Sequence, residues 1–259
     1  MGTSSEKARY LPLLKLLEKR FPQWEGSFLY SRILCGEVLV DGGTIRDPKL
    51  KVSSLADIQL KDSGFVSRGG EKLESALSFF SVTVQGKIFL DAGCSTGGFT
   101  HSLLSRGALI IHAIDVGYNL LDYSLRNNPQ VLVKERTNIM DVNHLDPVPH
   151  AAVADLSFRS LRGAASHILQ LTSEKWAIVL VKPQFEWLDP PGTFNGIVSA
   201  MGDRKSIIKQ VASDLNEEGV GVRSAVASAV PGRKGNQEYF FLLDFSPGLS
   251  PEEILDRLF

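Results

Sequence analysis

Cysteine is scarce in this 259-residue chain: Cys35 and Cys94 are its only two. They lie far apart and match no metal-ligand spacing. That excludes a disulfide scaffold or a zinc knuckle and fits a reducing, cytoplasmic setting with no bound metal. Long apolar runs are also missing. None reaches the ~20 residues that a membrane-spanning helix needs. The opening stretch MGTSSEKARYLPLLKLLEKRFP carries charges through its apolar positions, unlike a signal peptide. No stable membrane insertion is expected. Neither sign of charge is in excess, with 28 Lys and Arg against 29 Asp and Glu. The chain is therefore no bulk polycation, and any contact with nucleic acid must come from local patches. Internal repeats and low-complexity tracts are absent as well.

What the chain does have is the stretch LDAGCSTGGFT at positions 90–100. The apolar run Ile88-Phe89-Leu90 precedes it, and FTHSLLSRG, which reads as a helix, follows. Gly93, Gly97 and Gly98 allow a tight turn and a close approach of backbone to ligand. Strand, Gly-rich turn and helix in that order make a nucleotide-type pocket at a helix N-terminus. The turn reads G-C-S-T-G-G rather than G-x-G-x-x-G, and polar Ser95 and Thr96 suit a zwitterion better than a pyrophosphate. A nicotinamide cofactor, and with it an oxidoreductase, stays open on this pattern alone.

The length allows one α/β domain and a small appendage. In the appendage, leucines from Leu11 to Leu17 predict a helix ending at Phe21-Pro22, with a second over 27–34. GEVLVDGG predicts a hairpin turning at Asp41-Gly42-Gly43, with Val52 to Leu60 as the returning strand. The main domain alternates thereafter. A helix is expected over 67–80 and strands over 87–91 and 109–115. A helix over 119–126, strands over 131–135 and 151–155, a helix over 156–171 and a strand over 175–182 follow. A long loop with Pro190-Pro191 leads to a helix over 203–218, and two strands over 220–230 and 237–245 close the sheet. Ser250-Pro251-Glu252-Glu253 opens a last helix with capping-box spacing. The layout is α/β: a Rossmann-like, parallel sheet with one antiparallel strand at the end, plus a small α+β unit. Residues 1–62 and 63–259 are the two expected domains.

In such sheets ligands sit outside the carboxyl ends of the strands. Asp91, Asp115, Asp155 and Lys182 end expected parallel strands, and an antiparallel last strand begins at the same edge with Glu238. A single acid there also serves as a cap or strand terminator. Five charged residues on one edge ask for another reason, because burying charge is costly unless it is paired or used. Asp115, one strand after the turn, is placed to accept from ribose hydroxyls.

Two resemblances follow from these motifs. The appendage, a helix pair followed by Gly36-Glu37-Val38-Leu39-Val40-Asp41-Gly42, resembles the S4-like RNA-binding domain. That family carries a Ser-Arg pair where this chain has Glu25-Gly26, so the unit is a degenerate version. The remainder resembles the TlyA (haemolysin A) family within the FtsJ-like RNA 2′-O-methyltransferases. The matching runs are FVSRGGEKLESAL (65–77), LDAGCSTGGFT (90–100), AIDVGYNLL (113–121), ERTNIMD (135–141), ADLSF (154–158), LVKPQFE (180–186) and GNQEYFFLL (235–243). The resemblance implies S-adenosylmethionine as cofactor, ribosomal RNA or ribosomal subunits as partner, and a cytidine ribose as target. It implies a catalytic set of Lys72, Asp155, Lys182 and Glu238. Cofactor contacts are expected from Asp91, Gly93, Ser95, Thr96, Gly97, Gly98, Phe99, Asp115 and Asn138. Spacing alone does not select Lys72. The family has a Gly- and Lys-rich stretch before G-V-V-R-D, where this chain reads WLDPPGTFNGIVSAMGD.

Lys182 is the expected base or proton-steering group, Asp155 its orienting partner, and Lys72 with Glu238 the pair that positions ribose and phosphate. Arg68, Arg204, Lys205, Arg233 and Lys234 are the candidates for phosphate contact. Two alternatives come with the same motifs: a methyltransferase fold that binds RNA or cofactor without activity, and a membrane-active protein of the kind the name haemolysin denotes.

Overall fold

The computed structural model describes residues 9–24, 26–60, 64–157 and 160–259. Glu25 and the expected domain boundary at 62/63 lie outside the described residues, as does Phe158 of the ADLSF run. In the first unit, β1 (Tyr10–Pro12) leads into α1 (Leu13–Arg20) and α2 (Gly26–Cys35). Four short strands follow: β2 (Val38–Val40), β3 (Gly43–Ile45), β4 (Lys51–Ser53) and β5 (Ile58–Leu60). The helix expected from Leu11 starts two residues later, because Tyr10–Pro12 pairs antiparallel with β4 and Pro12, without an N–H, closes the strand. The hairpin at Asp41-Gly42 forms as expected. The single return strand expected over 52–60 is instead two strands in different sheets, β4 against β1 and β5 against β2. Ser53 divides them: its hydroxyl accepts from the Leu55 N–H at 3.1 Å and turns the chain. Leu13, Leu16, Leu17, Leu29, Ile33, Val38 and Val52 form a small core of their own.

A buried ion pair sits at the rear of this unit, with Arg32 Nε 3.0 Å from Glu37 Oε2. Arg32 also donates to the Phe65 carbonyl at 3.4 Å, where the main domain begins. Burial pushes the Glu37 carboxyl up to about 7 despite the attraction of Arg32 and Arg68.

The main domain runs α3 (Arg68–Phe80), β6 (Ile88–Ala92), α4 (Gly98–Ser105), β7 (Ile110–Ile114), α5 (Tyr123–Arg126) and β8 (Val131–Lys134). It continues with β9 (Ala151–Ala154), α6 (Ala164–Gln170), β10 (Trp176–Val181), α7 (Pro183–Glu186), α8 (Met201–Glu217), β11 (Gly221–Ala227), β12 (Tyr239–Asp244) and α9 (Pro251–Leu258). Seven strands form one sheet in the order β11-β12-β10-β9-β6-β7-β8. β12 runs antiparallel to both β10 and β11, as the sequence predicts. Side chains alternate across each strand. Phe89, Ile111, Val153, Ile178 and Phe240 therefore join the core under α3 and α4, while Leu90, Ala152, Val179 and Phe241 join that under α6, α8 and α9. From β6 the chain winds outward through β7 and β8, then returns to lay β9 on the other side. The crevice at that reversal is where such sheets take ligands.

Two helices are shorter than expected, for local reasons. Asn119 adopts φ +55°, and Asp122 caps α5 by accepting from the Ser124 N–H at 2.9 Å, so the helix begins at Tyr123. α6 begins only at Ala164, after Gly163 at φ +69°. The short α7 lies in what reads as loop.

Candidate active site

The Gly-rich turn is built from main-chain bonds. The N–H groups of Gly93 and Cys94 both donate to the Ile114 carbonyl at the end of β7, at 2.8 and 3.1 Å. The Gly97 N–H donates to Cys94 O at 2.7 Å and closes the turn. Gly93 has φ +84°, and a Cβ there would stand 2.5 Å from the Asp155 carbonyl. Only glycine fits between the ends of β6 and β9. Asp115 faces this turn: its Oδ2 accepts from Ser95 N–H at 2.8 Å and its Oδ1 from Gly117 N–H at 2.7 Å. A carboxylate has about four acceptor positions, so two remain for hydroxyls of a bound nucleoside. Asn138 caps the turn over residues 139–141 by accepting from the Met140 N–H at 3.1 Å.

These groups line one wall of a cavity of about 790 Å³, within the range of small-molecule sites. Gly93, Ser95, Thr96, Gly98, Phe99, Asp115 and Asn138 all reach it. Asp91 and Gly97 do not, and the structure gives them other tasks. Asp91 is wholly buried beneath the turn, where its Oδ2 accepts from the Thr100 hydroxyl at 2.6 Å. Burial, reinforced by Asp155 and Asp115, pushes its carboxyl up to about 7. Gly97 turns its Cα toward Leu121 and Leu125, away from the cavity.

The same cavity is also lined by two ion pairs. Lys72 Nζ lies 2.6 Å from Glu238 Oε2, and Lys182 Nζ lies 2.5 Å from Asp155 Oδ1. Lys72 reaches the cavity because glycines let the first turn of α3 lie against that of α4. A Cβ on Gly98 would meet Gly70 N at 2.7 Å and Gly69 Cα at 2.9 Å. Glu238, just before β12, occupies space left by the missing side chain of Gly232. Both members of this pair are buried, whereas Asp155 is partly open to solvent.

Other lining groups were not legible in the sequence. Ser157 accepts from Lys182 Nζ at 3.1 Å, two residues beyond Asp155. The Phe185 ring lies 5.7 Å from the same ammonium. Leu34 and Arg46 come from the first unit, so the rim of the cavity is shared between the two units. Of the candidates for phosphate contact, Arg68 lines the cavity. Arg204 and Lys205 lie on α8 and do not, Lys205 Nζ resting 5.3 Å over the Phe259 ring. Lys234 is exposed and donates to the Asn195 carbonyl at 3.1 Å. The Arg233 side chain lies outside the described residues. No described helix is long and apolar enough to cross a membrane. Among the described residues no group of His, Cys, Asp and Glu could hold a metal ion.

Residues 65–245 match the FtsJ-like methyltransferase family. The protein named Hemolysin A of Brachyspira hyodysenteriae is 37% identical over 212 residues, covering 80% of this chain and 88% of its own. The Mycobacterium tuberculosis protein named 16S/23S rRNA (cytidine-2′-O)-methyltransferase TlyA is 41% identical over 222 residues, or 80% of each chain. Among solved structures, a protein titled putative hemolysin from Streptococcus thermophilus superposes with a TM-score of 0.71 at 29% identity, over 95% of this chain and 94% of the other. With these relatives, a sheet whose switch point opens on a glycine turn, and two lysine–carboxylate pairs lining the same cavity, the chain belongs to the FtsJ-like methyltransferase family, in the branch that holds the TlyA and haemolysin A proteins.

Proposed function

We propose that this protein is an S-adenosylmethionine-dependent 2′-O-methyltransferase of ribosomal RNA, acting on a cytidine ribose as its TlyA relatives are named for doing. The observation that carries this reading is that Asp115 and the Gly-rich turn line one cavity together with the Lys72–Glu238 and Lys182–Asp155 pairs. The residues fit a nucleoside-bearing zwitterion. Asp115 has acceptor capacity left for ribose hydroxyls. Bound there, S-adenosylmethionine supplies an electrophilic methyl group on a sulfonium.

The chain's own part is to place a weak nucleophile and move its proton. Lys182, held by Asp155 and Ser157, takes or steers the proton leaving the ribose 2′-oxygen. Lys72 is locked to Glu238 and holds the ribose and its phosphate, with Arg68 beside it at the rim. Residues 1–62 form a degenerate S4-like RNA-binding unit and residues 63–259 the catalytic domain, with Leu34 and Arg46 of the first lining the cavity of the second. A ribosomal substrate places the protein in the cytoplasm.

The test is transfer of tritiated methyl from S-adenosylmethionine to ribosomal RNA offered free, in subunits and in assembled ribosomes. Label on a ribose 2′-oxygen, lost in Lys182→Ala while cofactor binding persists, is the expected result. Cofactor binding with no transfer to any of the three forms would instead mark a binding protein on a methyltransferase fold.

A further inference from the structure

The turn α7 carries two charged groups in contrasting places. Lys182, its N-cap residue, faces the cavity. Glu186, its last residue, does not, yet it is only 4% exposed. Burial holds its carboxyl above the ordinary carboxylate range. A buried carboxylate is costly unless donors converge on it, and here they come from a single segment. The Ser160 hydroxyl donates to Oε2 at 2.5 Å, and the Leu161 N–H donates to Oε1 at 2.9 Å. Arg162 Nη1 stands 3.9 Å from Oε2.

That segment begins at Asp155. It follows β9, which ends at Ala154, and its described residues precede α6, which starts at Ala164. At its head Lys182 engages Asp155 and Ser157; at its tail Glu186, one helical turn further on, engages Ser160 and Leu161. One short helix thus fastens both ends of the segment that presents Asp155. Beyond Leu161 the chain is anchored separately, by Arg162 on Asp214 and by the Gly163 N–H on Glu218 at 2.8 Å. Loss of Glu186 therefore frees Ser160 and the Leu161 N–H without releasing α6.

We propose that Glu186 is a positioning residue: by holding Ser160 and Leu161 it fixes the segment that presents Asp155 and Ser157 to Lys182, and so fixes the Lys182 ammonium in the cavity. This rests on the reaction role given to Lys182 above.

The test uses the full chain with the RNA substrate found by the transfer assay. Glu186→Ala should lower kcat by about 10- to 100-fold, with KM for RNA and the calorimetric Kd for S-adenosylmethionine within about twofold of wild type. Glu186→Gln keeps an acceptor for the Leu161 N–H and should recover most of the lost kcat. Should Glu186→Ala fail to fold, Ser160→Ala removes one donor and should cost about fivefold in kcat. Wild-type kcat in the alanine variants overturns the proposal, as does a loss that disappears on correcting for the folded fraction. Lys182→Ala, run alongside, separates the two readings. If it stays active, the chemistry given to Lys182 fails. If it is dead while Glu186→Ala is fully active, only the positioning role fails.

Discussion

The two walls of the cavity are made in different ways. The turn wall is nearly one continuous stretch, Gly93 to Phe99, joined by Asp115 one strand away. Most of its polar bonds are made by main-chain N–H groups. The ion-pair wall is assembled from side chains on α3, at the ends of β9 and β10, and before β12. Lys72 and Glu238 meet across 166 residues of sequence. A wall of backbone depends on φ angles that only certain residues tolerate; a wall of ion pairs depends on the order and direction of strands. The first fails when a Cβ intrudes, the second when one partner is left buried without the other.

The largest effect should come from the ion-pair wall. Lys182→Ala should lower methyl transfer by about 10³-fold, within the span of general-base contributions, with cofactor affinity nearly unchanged by calorimetry. Equal losses of binding and turnover would erase the distinction between the walls. Next is Lys72→Ala, which strands the buried Glu238 carboxylate and should destabilise the fold by about 3 kcal/mol in urea denaturation. Lys182→Ala leaves Asp155 partly solvated and should cost less stability than Lys72→Ala, although it costs more activity. The turn wall is tested by Gly93→Ala. Its positive φ and the clash with the Asp155 carbonyl should cost about 2 kcal/mol of stability and weaken cofactor binding, read by calorimetry and thermal melting.

The smallest effect concerns the support beneath the turn. Burial pushes the Asp91 carboxyl up to about 7 when folded, against an ordinary value of 3.8. Between those limits the folded chain binds more protons than the unfolded one, so this group's contribution makes stability fall as pH rises. Asp91→Asn, measured by thermal melts from pH 4.5 to 8, should flatten that decline. It should not abolish it, because Glu37 is also pushed up to about 7 and acts in the same direction. An unchanged profile would mean that Asp91 is ionised under the turn.

The glycines and Asp115 were legible because each depends on local rules, a φ only glycine favours and an acid ending an apolar run, whereas the antiparallel last strand followed from the closing pair of strands in a methyltransferase-like layout. Lys72 was not, since its distinction lies in the contact of Gly69 and Gly70 with Gly98, which no spacing within α3 announces. Asp91 looked like a ligand because it ends a strand, yet the next turn closes over it and turns it into a support for Thr100. The helix expected from Leu156 was misread because its apolar residues do have helical spacing. Glu186 captures Ser160 and the Leu161 N–H, and the helix forms only from Ala164.

By itself, then, the sequence determined the alternation of strands and helices, the place of the glycine turn and the acids and lysine at the strand ends, all of which follow from periodicity and backbone sterics. Only the tertiary structure decided which of those charges share a cavity. It joined Lys72 to Glu238, set Asp91 and Gly97 behind the turn, and brought Leu34 and Arg46 of the first unit to the rim. The physical reason is that pairing and burial of charge are set by distances across the sheet, and those are settled only when every strand has taken its place.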